Sequence, residues 1–312
     1  MTSATAADAG ESADATRADR TERSDERDGT ADVLDEDRYT RKQSVLITGC
    51  SSGIGRATAL AFLDEGWTVV ASARDPTDIT DLAEAGCETI TLDVTDPDQV
   101  ATVVERTVAE TGAIDCLVNN AGYAQMGPLE DVSPEDLHRQ FDVNVFGPHR
   151  LTRAALSHMR AQGDGRIVNV SSINGRVSVA GSGAYAGSKH AMEAMSDALR
   201  VEVDPFDVDV VLIEPGPVET AFAERVDDEL PDSRTPDYDD IYEIFEDTQL
   251  IGGSGPLASP PKDVADAIVH AATCSEPPAR YPVGPVAHYG SYARFLPDRI
   301  RDGLYGLVRK LV

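Results

Sequence analysis

From residue 44 onward, short runs of β-branched and apolar residues alternate with segments of helical periodicity. The alternation predicts a mainly parallel sheet, because consecutive parallel strands need a crossover between them. Right-handed crossovers place helices on both faces, so we predict a single α/β domain with a doubly wound, Rossmann-like sheet of about seven strands. The predicted strands are 45–47, 68–72, 89–92, 114–118, 166–170, 208–213 and 280–283.

Residues typical of helix ends lie between the strands. Pro97 and Ser133-Pro134 are typical of helix starts, and Gly66 is typical of the residue that follows a helix. They predict helices at 57–65, 79–85, 97–111, 133–162, from about 185 to 203, and at 262–272.

The composition divides the chain into parts. Residues 1–40 have almost no large apolar side chain, so we predict a disordered acidic tail. Residues 41–290 form the predicted domain, in which an acidic, proline-containing stretch at about 217–260 is predicted as an insertion over the site. It holds one amphipathic piece near 241–245.

Residues 291–312 are predicted as a C-terminal helical extension. Their apolar side chains lie among arginines, which indicates a packed or dimer-contacting helix or, alternatively, a helix on a membrane surface. These apolar residues are Phe295, Ile300, Leu304, Leu307 and Leu311.

The chain has a formal net charge of −28, with 55 acidic and 27 basic residues. Nucleic-acid binding needs a basic footprint, so we expect no nucleic-acid partner. The acidic charge is spread along the whole chain, as in proteins of salt-loving organisms. Because salt screens such self-repulsion, we predict that stability and activity rise with salt.

The cysteines and the hydropathy exclude further classes. Cys50, Cys87, Cys116 and Cys274 form no C-x-x-C pair and have no histidine cluster beside them, so we expect no metal site. No apolar run approaches the roughly 20 residues of a membrane-spanning helix. Without an apolar leader at the N-terminus, the expected location is cytoplasmic.

A glycine-rich turn follows the first predicted strand and opens a helix. Glycines allow a pyrophosphate to approach the backbone, and the helix N-terminus supplies free N–H groups. The alternative is a turn whose glycines serve packing. The residues predicted to bind the cofactor here are Gly49, Ser51, Ser52, Gly53, Ile54 and Gly55, with the two serines as hydroxyl donors.

Arg74 directly follows the second strand, where folds that prefer NAD usually have an acidic residue. A guanidinium suits a 2′-phosphate, so NADP(H) is favoured and NAD(H) remains possible. Asp75 is the alternative, since it could pair with Arg74 or bind a ribose.

Asn119-Asn120-Ala121-Gly122 follows the fourth strand, where the ligand crevice of such sheets opens.

Tyr185 and Lys189 are four residues apart and therefore share one face of a helix. A nearby ammonium favours the phenolate and would lower the tyrosine pKa. Tyr185 could then exchange a proton with an alcohol or a carbonyl near neutral pH.

Taken in order, these motifs resemble those of the short-chain dehydrogenase/reductase family over roughly residues 44–285. The turn is particularly similar to that of the hydroxysteroid and retinol dehydrogenase branch. The motifs are T-G-x-x-x-G-x-G from Thr48, Asp93-Val94, N-N-A-G from Asn119, Asn144, Ser171-Ser172, Y-x-x-x-K from Tyr185 and P-G-x-V-x-T from Pro215.

The resemblance implies a role for each matching residue. Tyr185 would be the acid/base, and Lys189 would bind the nicotinamide ribose and lower the tyrosine pKa. Ser172 would hold the substrate oxygen, and Asn144 would support a proton-relay water. Cofactor contacts would come from Asp93, Val94, Asn120, Ala121, Gly122, Pro215, Gly216, Val218 and Thr220.

The implied activity is hydride transfer between NADP(H), or NAD(H), and a carbonyl compound or secondary alcohol. Apolar residues around the predicted site favour an apolar substrate, and the resemblance makes a homodimer or homotetramer plausible. The alternatives are a non-catalytic NAD(P)-binding regulatory protein of the same fold and an epimerase or dehydratase with tightly held NAD. The apolar residues are Tyr123, Met126, Val177, Val179, Phe222 and Phe245.

Overall fold

A computed structural model describes residues 41–220, 230–231, 233–246, 255 and 257–308, with the backbone alone for 244–246 and 304–308. The predicted tail at 1–40 and much of the predicted insertion lie outside the described residues. The elements below belong to the unit Gln43–Val312.

The described strands form one parallel sheet in the order β3-β2-β1-β4-β5-β6-β7. The order reverses beside β1, which pairs with β2 on one side and β4 on the other. The predicted fold class is confirmed. The strands are β1 Ser44–Ile47, β2 Thr68–Ala73, β3 Glu88–Thr91, β4 Cys116–Asn119, β5 Gly165–Val170, β6 Val208–Pro215 and β7 Arg280–Val283.

Helices alternate with the strands along the chain. They are α1 Gly53–Asp64, α2 Thr80–Ala85, α3 Pro97–Thr111, α4 Pro134–Phe141, α5 Gly147–Gln162, α6 Gly183–Val203, α7 Asp239–Glu246, α8 Pro261–Thr273, α9 Pro285–Gly290 and α10 Asp298–Val308. Short 3₁₀ helices at Ile173–Gly175 and Ser291–Phe295 matter for the site and for the C-terminal segment.

The sheet separates two apolar cores because successive strand residues point to opposite faces. Val45 and Ile47 pack in the core under α1 and α8, whereas Leu46 packs in the core under α3 and α5. All three residues are fully buried. Packing on both faces leaves the carboxyl edge of the sheet as the place where loops can form a site.

The predicted helix ends are present. Asp96 caps α3 by accepting from the N–H groups of Asp98 and Gln99, with Pro97 in the first position. Ser133 caps α4 through the N–H of Asp136. Gly66 follows α1 and donates its N–H to the carbonyl of Leu63.

Several predicted boundaries were wrong, including the start of the first helix, which lies at Gly53 and not at residue 57. The strand predicted from residue 114 begins at Cys116. The helical region predicted at 133–162 is continuous from Pro134 to Gln162, with an unpredicted π-helical turn at Asp142–Phe146 between α4 and α5. The described part of the C-terminal segment is helical in two pieces, because Pro297 lies between the Ser291–Phe295 turn and α10. Within the part of the chain described, no helix is both long and apolar enough to span a membrane.

Candidate active site

A crevice opens where the sheet order reverses, at the carboxyl ends of β1 and β4. Thr48 after β1 accepts hydrogen bonds at Oγ1 from the N–H groups of Asn120 (3.0 Å) and Ala121 (2.9 Å). The Asn120 amide donates back to the carbonyls of Thr48 (2.8 Å) and Gly49 (3.0 Å). These reciprocal bonds fix the two loops that flank the crevice.

The glycine-rich turn is shaped by close approach of backbone to backbone. Gly49 and Gly53 have φ values of 71° and 56°, which favour glycine. A Cβ at Gly55 would lie against the Gly49 carbonyl and 2.5 Å from Asn120 Nδ2. Close packing of the turn therefore explains part of this glycine motif. This agrees with the alternative prediction, in which the glycines serve packing.

The same turn presents the N-terminus of α1. Ser52 is the N-cap residue, its side chain does not cap the helix, and the first turn of α1 contains no acidic residue. An uncompensated helix N-terminus favours an anion such as a pyrophosphate. This part of the crevice therefore fits the phosphates of a dinucleotide.

The segment after β6 reaches the turn from the other side. A Cβ at Gly53 would lie 2.9 Å from Thr220 Cγ2, so these predicted cofactor residues are neighbours. Gly216 donates its N–H to the carbonyl of Val283 (2.9 Å), and Val218 forms a β-bridge with Ser259. The segment that begins at Pro215 is thereby held beside the crevice.

Arg74 is exposed at the end of β2, one strand away from β1. Asp75 accepts hydrogen bonds from the N–H (2.9 Å) and hydroxyl (2.7 Å) of Thr77, which lower its pKa. The Asp75 carboxylate therefore caps its own turn.

The end of β3 supplies Asp93 and Val94. The Asp93 carboxylate accepts from the N–H (2.9 Å) and hydroxyl (2.7 Å) of Thr95. Val94 packs against the start of α5, where a Cβ at Gly147 would lie 2.8 Å from Val94 Cγ2.

Gly122, Asn144 and Lys189 converge at the centre of the crevice. A Cβ at Gly122 would lie 3.1 Å from Asn144 Oδ1 and 3.8 Å from Lys189 Nζ. Asn144 is fully buried in the π-helical turn, a feature common at functional sites. Its side chain donates to the Tyr123 carbonyl (2.9 Å) and the Ser188 hydroxyl (3.2 Å).

Tyr185 and Lys189 lie on one face of α6, as predicted. The Ser172 hydroxyl hydrogen-bonds Tyr185 and accepts from the N–H of Asn174 (3.1 Å). Lys189 Nζ donates to the carbonyl of Val170 (2.8 Å) at the end of β5. Ser172, Tyr185 and Lys189 thus meet at the end of β5, and Asn144 and Lys189 both lie next to Gly122.

The predicted lowering of the tyrosine pKa is absent in this structure. Burial raises the pKa of Tyr185 to about 12, and the Ser172 hydrogen bond only opposes this rise. Lys189 Nζ is 5.8 Å from the Tyr185 ring centre and bonds Val170 instead. Burial also lowers the pKa of Lys189 to about 8, against the opposing charge of Glu193.

An apolar wall covers Tyr185. Ala124, Met126 and Ile241 are buried in one cluster with it, and Leu230 and Tyr238 pack against that cluster. Among the residues predicted to form apolar surface, Met126 is in this wall and Val179 is 41% exposed. Phe222 and the Phe245 side chain lie outside the described residues.

Asp131 holds the amphipathic helix α7 in place. Its carboxylate accepts from the hydroxyls of Thr235 (2.6 Å) and Tyr242 (2.6 Å) and from the Thr235 N–H (3.0 Å). Ile241 is next to Tyr242 and is thereby kept in the wall.

A buried ionic cluster behind the site has no counterpart in the sequence predictions. Arg280 Nε lies 3.1 Å from both Glu193 and Glu214, and Arg176 lies 3.7 Å and 3.6 Å from the same carboxylates. The cluster joins α6, β6, β7 and the Ser172 loop. Burial and the Glu193 charge raise the pKa of Glu214 to about 7.

The described residues contain no group of three or more histidine, cysteine or acidic side chains that could hold a metal ion. The chemistry offered by the crevice is that of backbone N–H groups, an exposed arginine, two hydroxyls, an amide and an ammonium.

Comparison with known proteins gives a consistent result. The short chain dehydrogenase family matches residues 43–231. An uncharacterized oxidoreductase of Escherichia coli, YbbO, is 37% identical over 265 residues, covering 84% of this chain and 93% of YbbO. Two reductases are also similar over 83% of this chain. They are 3-ketodihydrosphingosine reductase of Bacteroides thetaiotaomicron, with 32% identity and 94% of its length covered, and NADPH-dependent 3-dehydrocapnine reductase of Ornithobacterium rhinotracheale, with 34% and 95%.

Solved structures agree. A short-chain dehydrogenase from Streptomyces avermitilis has a TM-score of 0.72 and 34% identity, covering 84% of this chain and 94% of that one. A metagenomic short-chain oxidoreductase in complex with NADP has a TM-score of 0.62, 28% identity and coverages of 78% and 97%. A homologue from Burkholderia phymatum in complex with NAD has a TM-score of 0.71, 27% identity and coverages of 82% and 93%.

Proposed function

Because the chain belongs to the short-chain dehydrogenase/reductase family, we propose that it moves a hydride between NADP(H) and an apolar ketone or secondary alcohol, with Tyr185 as the acid/base. The observation that carries this proposal is the contact of Ser172 with Tyr185, beside Lys189 and Asn144 at the open end of the crevice. The nearness of these side chains supports a shared role.

The bound cofactor supplies or accepts the hydride, and the protein manages the proton. Ser172 would hold the substrate oxygen, and Tyr185 would protonate that oxygen during reduction. Lys189 would contact the nicotinamide ribose and restrain Tyr185, and Asn144 would hold a relay water. The glycine-rich turn, Asp93, Val94, Asn120, Ala121, Gly122, Pro215, Gly216, Val218 and Thr220 would hold the cofactor.

NADP(H) is favoured by the exposed Arg74 at the end of β2 and by the engagement of Asp75 with Thr77. One similar structure holds NADP and another holds NAD. We expect a higher kcat/KM with NADPH than with NADH. Arg74→Ala should lower kcat/KM for NADPH by about 10- to 100-fold, the value of a charged hydrogen bond, and leave the NADH value nearly unchanged. Equal use of both cofactors by the parent protein would refute the preference.

The substrate class follows from the wall over Tyr185. Ala124, Met126 and Ile241 are buried against Tyr185, so a substrate that reaches Tyr185 would be bordered by apolar side chains. Two relatives are named as reductases of 3-ketodihydrosphingosine and 3-dehydrocapnine. We therefore favour a ketone attached to an alkyl chain, with the chain against this wall.

The test is NADPH oxidation with 3-ketodihydrosphingosine and with acetone as a short ketone, in low and molar salt. Turnover of the long ketone, with higher activity in salt, is the expected result. Tight NADPH binding without turnover across a panel of ketones and aldehydes would support the regulatory protein instead. A cytoplasmic location, a homodimer or homotetramer, and the similarity to the hydroxysteroid and retinol dehydrogenase branch stay predictions.

A further inference from the structure

The C-terminal segment carries large apolar side chains in solvent. Tyr289, Tyr292 and Phe295 are 75%, 65% and 75% exposed, and Ile300 is 53% exposed. Their spacing of three to five residues runs from α9 through the 3₁₀ helix into α10. Large apolar side chains exposed together on one segment often mark an interaction surface. We call these four side chains the aromatic patch.

Basic residues accompany the aromatic patch. The Arg294 guanidinium lies 5.4 Å from the centre of the Phe295 ring, and Arg299 is exposed beside Ile300. Residues 285–312 contain five basic and two acidic residues, whereas residues 1–284 contain 22 basic and 53 acidic ones. The patch is therefore set in a locally basic segment of a strongly acidic chain.

This segment packs beside the candidate active site. A Cβ at Gly216, in the loop after β6, would lie 3.2 Å from Val286 of α9. A Cβ at Gly290, at the other end of α9, would lie 3.5 Å from Ile173, the neighbour of Ser172. The aromatic patch thus continues directly from two segments of the site.

We propose that the aromatic patch docks the protein onto an anionic lipid surface. Aromatic side chains with arginines among them suit the boundary between headgroups and acyl chains, and arginine pairs with lipid phosphates. A second copy that paired through the same patch would set arginines against arginines, whereas anionic headgroups supply the opposite charge to Arg294 and Arg299. Docking would place the site close to apolar molecules dissolved in the lipid, a consequence that rests on the proposed function.

The experiment is vesicle flotation of the full chain without cofactor or substrate. We expect the protein to float with phosphatidylglycerol vesicles and less with phosphatidylcholine vesicles. The double variant Tyr292→Ser/Phe295→Ser should lower the floating fraction at least tenfold. Arg294→Ser should lower flotation with the anionic vesicles only. Val201→Ser removes an apolar residue that is 74% exposed on α6, and this control should float like the parent.

Circular dichroism and a thermal midpoint would show that each variant is folded. Flotation of the double variant at the parent's level would overturn the proposal, as would no flotation with either vesicle. Light scattering measures whether the parent protein and the double variant are monomers or dimers. A parent dimer that dissociates in the double variant, without vesicle binding, would assign the patch to a second copy. Neither failure alters NADPH oxidation of a water-soluble ketone, which tests the proposed function separately.

Discussion

The crevice has a glycine-rich end, at β1 and β4, and a tyrosine end, at β5, β6 and α7, and different contacts hold each end. At the glycine-rich end, Thr48 and Asn120 bond backbone groups of neighbouring loops. At the tyrosine end, side chains from distant segments meet, as Ser172 and Ile241 do around Tyr185.

Because different contacts hold the two ends, we expect a substitution to have different effects at each end. Backbone-directed bonds and close-packed glycines leave little room, so an added atom at the glycine-rich end must move the loop. A side-chain contact at the tyrosine end can be removed without moving the backbone. We therefore expect the glycine-rich end to control cofactor affinity and the tyrosine end to control chemistry and substrate choice.

The sharpest test of this separation is Tyr185→Phe, which removes only the phenol oxygen. We expect kcat to fall by about 10²- to 10⁴-fold, the usual contribution of a positioned acid or base. Steady-state kinetics and fluorescence titration with NADPH measure the two effects, and NADPH affinity should change little. Tyr281→Phe, whose hydroxyl meets His270 outside the crevice, is the matched control. Retained turnover in Tyr185→Phe would remove this residue from the acid/base role.

Gly55→Ala tests the other end. The new methyl group would meet the Gly49 carbonyl and Asn120 Nδ2, so the turn must shift at a cost of about 1–3 kcal/mol. We expect NADPH affinity to fall more than tenfold and the urea midpoint to decrease. The control Gly303→Ala lies in α10, where a Cβ meets nothing within 4 Å. That control should be neutral or stabilising by up to about 1 kcal/mol. Normal NADPH binding by Gly55→Ala would show that this end tolerates movement.

The same contrast explains how far the sequence could predict the molecule. The seven-stranded sheet is predictable because strand and helix periodicities are local. The clustering of Asn144, Tyr185 and Lys189 is expected from family motifs. The long helical region predicted there is present, but the π-helical turn that buries Asn144 within it has no local sequence signature and was not predicted.

The ionic cluster was missed for a different reason. Arg176, Glu193, Glu214 and Arg280 each resemble ordinary surface charges in the sequence, and only the tertiary fold joins them. Acidic residues inside apolar runs, such as Glu214 at the end of β6, were the available signal. The wall at Ile241 depends equally on tertiary packing, although the amphipathic spacing around it was recognisable.

Substrate choice at the tyrosine end can be tested with Ile241→Ala. Losing the buried aliphatic surface should raise KM for a long-chain ketone about tenfold, since such burial is worth roughly 1.5–3 kcal/mol when complete. Acetone should show little change in kcat/KM. Glu243→Ala on the exposed side of the same helix is the control. An equal loss for both ketones would indicate that α7 supports Tyr185 rather than selecting the substrate.

Glu214→Gln should have the smallest effect on turnover among these variants. The sign of its effect on the free energy of unfolding depends on pH. The folded pKa of Glu214 is about 7, above the ordinary 4.5, so the folded protein holds this proton more tightly. The stability that protonated Glu214 contributes is present below its ordinary pKa. It is lost as the pH rises through the pKa of Glu214 in the folded protein. As the pH rises from about 5 to about 8, ionisation of Glu214 should therefore lower the free energy of unfolding by about 2–3 kcal/mol.

Urea unfolding of Glu214→Gln across this range should show a flatter pH profile than the parent protein. Glu193, Arg176 and Arg280 face the same site, so their charges must stay constant for the comparison to hold. Asp266→Asn removes an exposed carboxylate that pairs with Lys262, and it should keep the parent profile. An unchanged slope in Glu214→Gln would mean that Glu214 is ionised throughout. The two arginines would then neutralise both glutamates, and the cluster would tie the Ser172 loop to α6 at every pH.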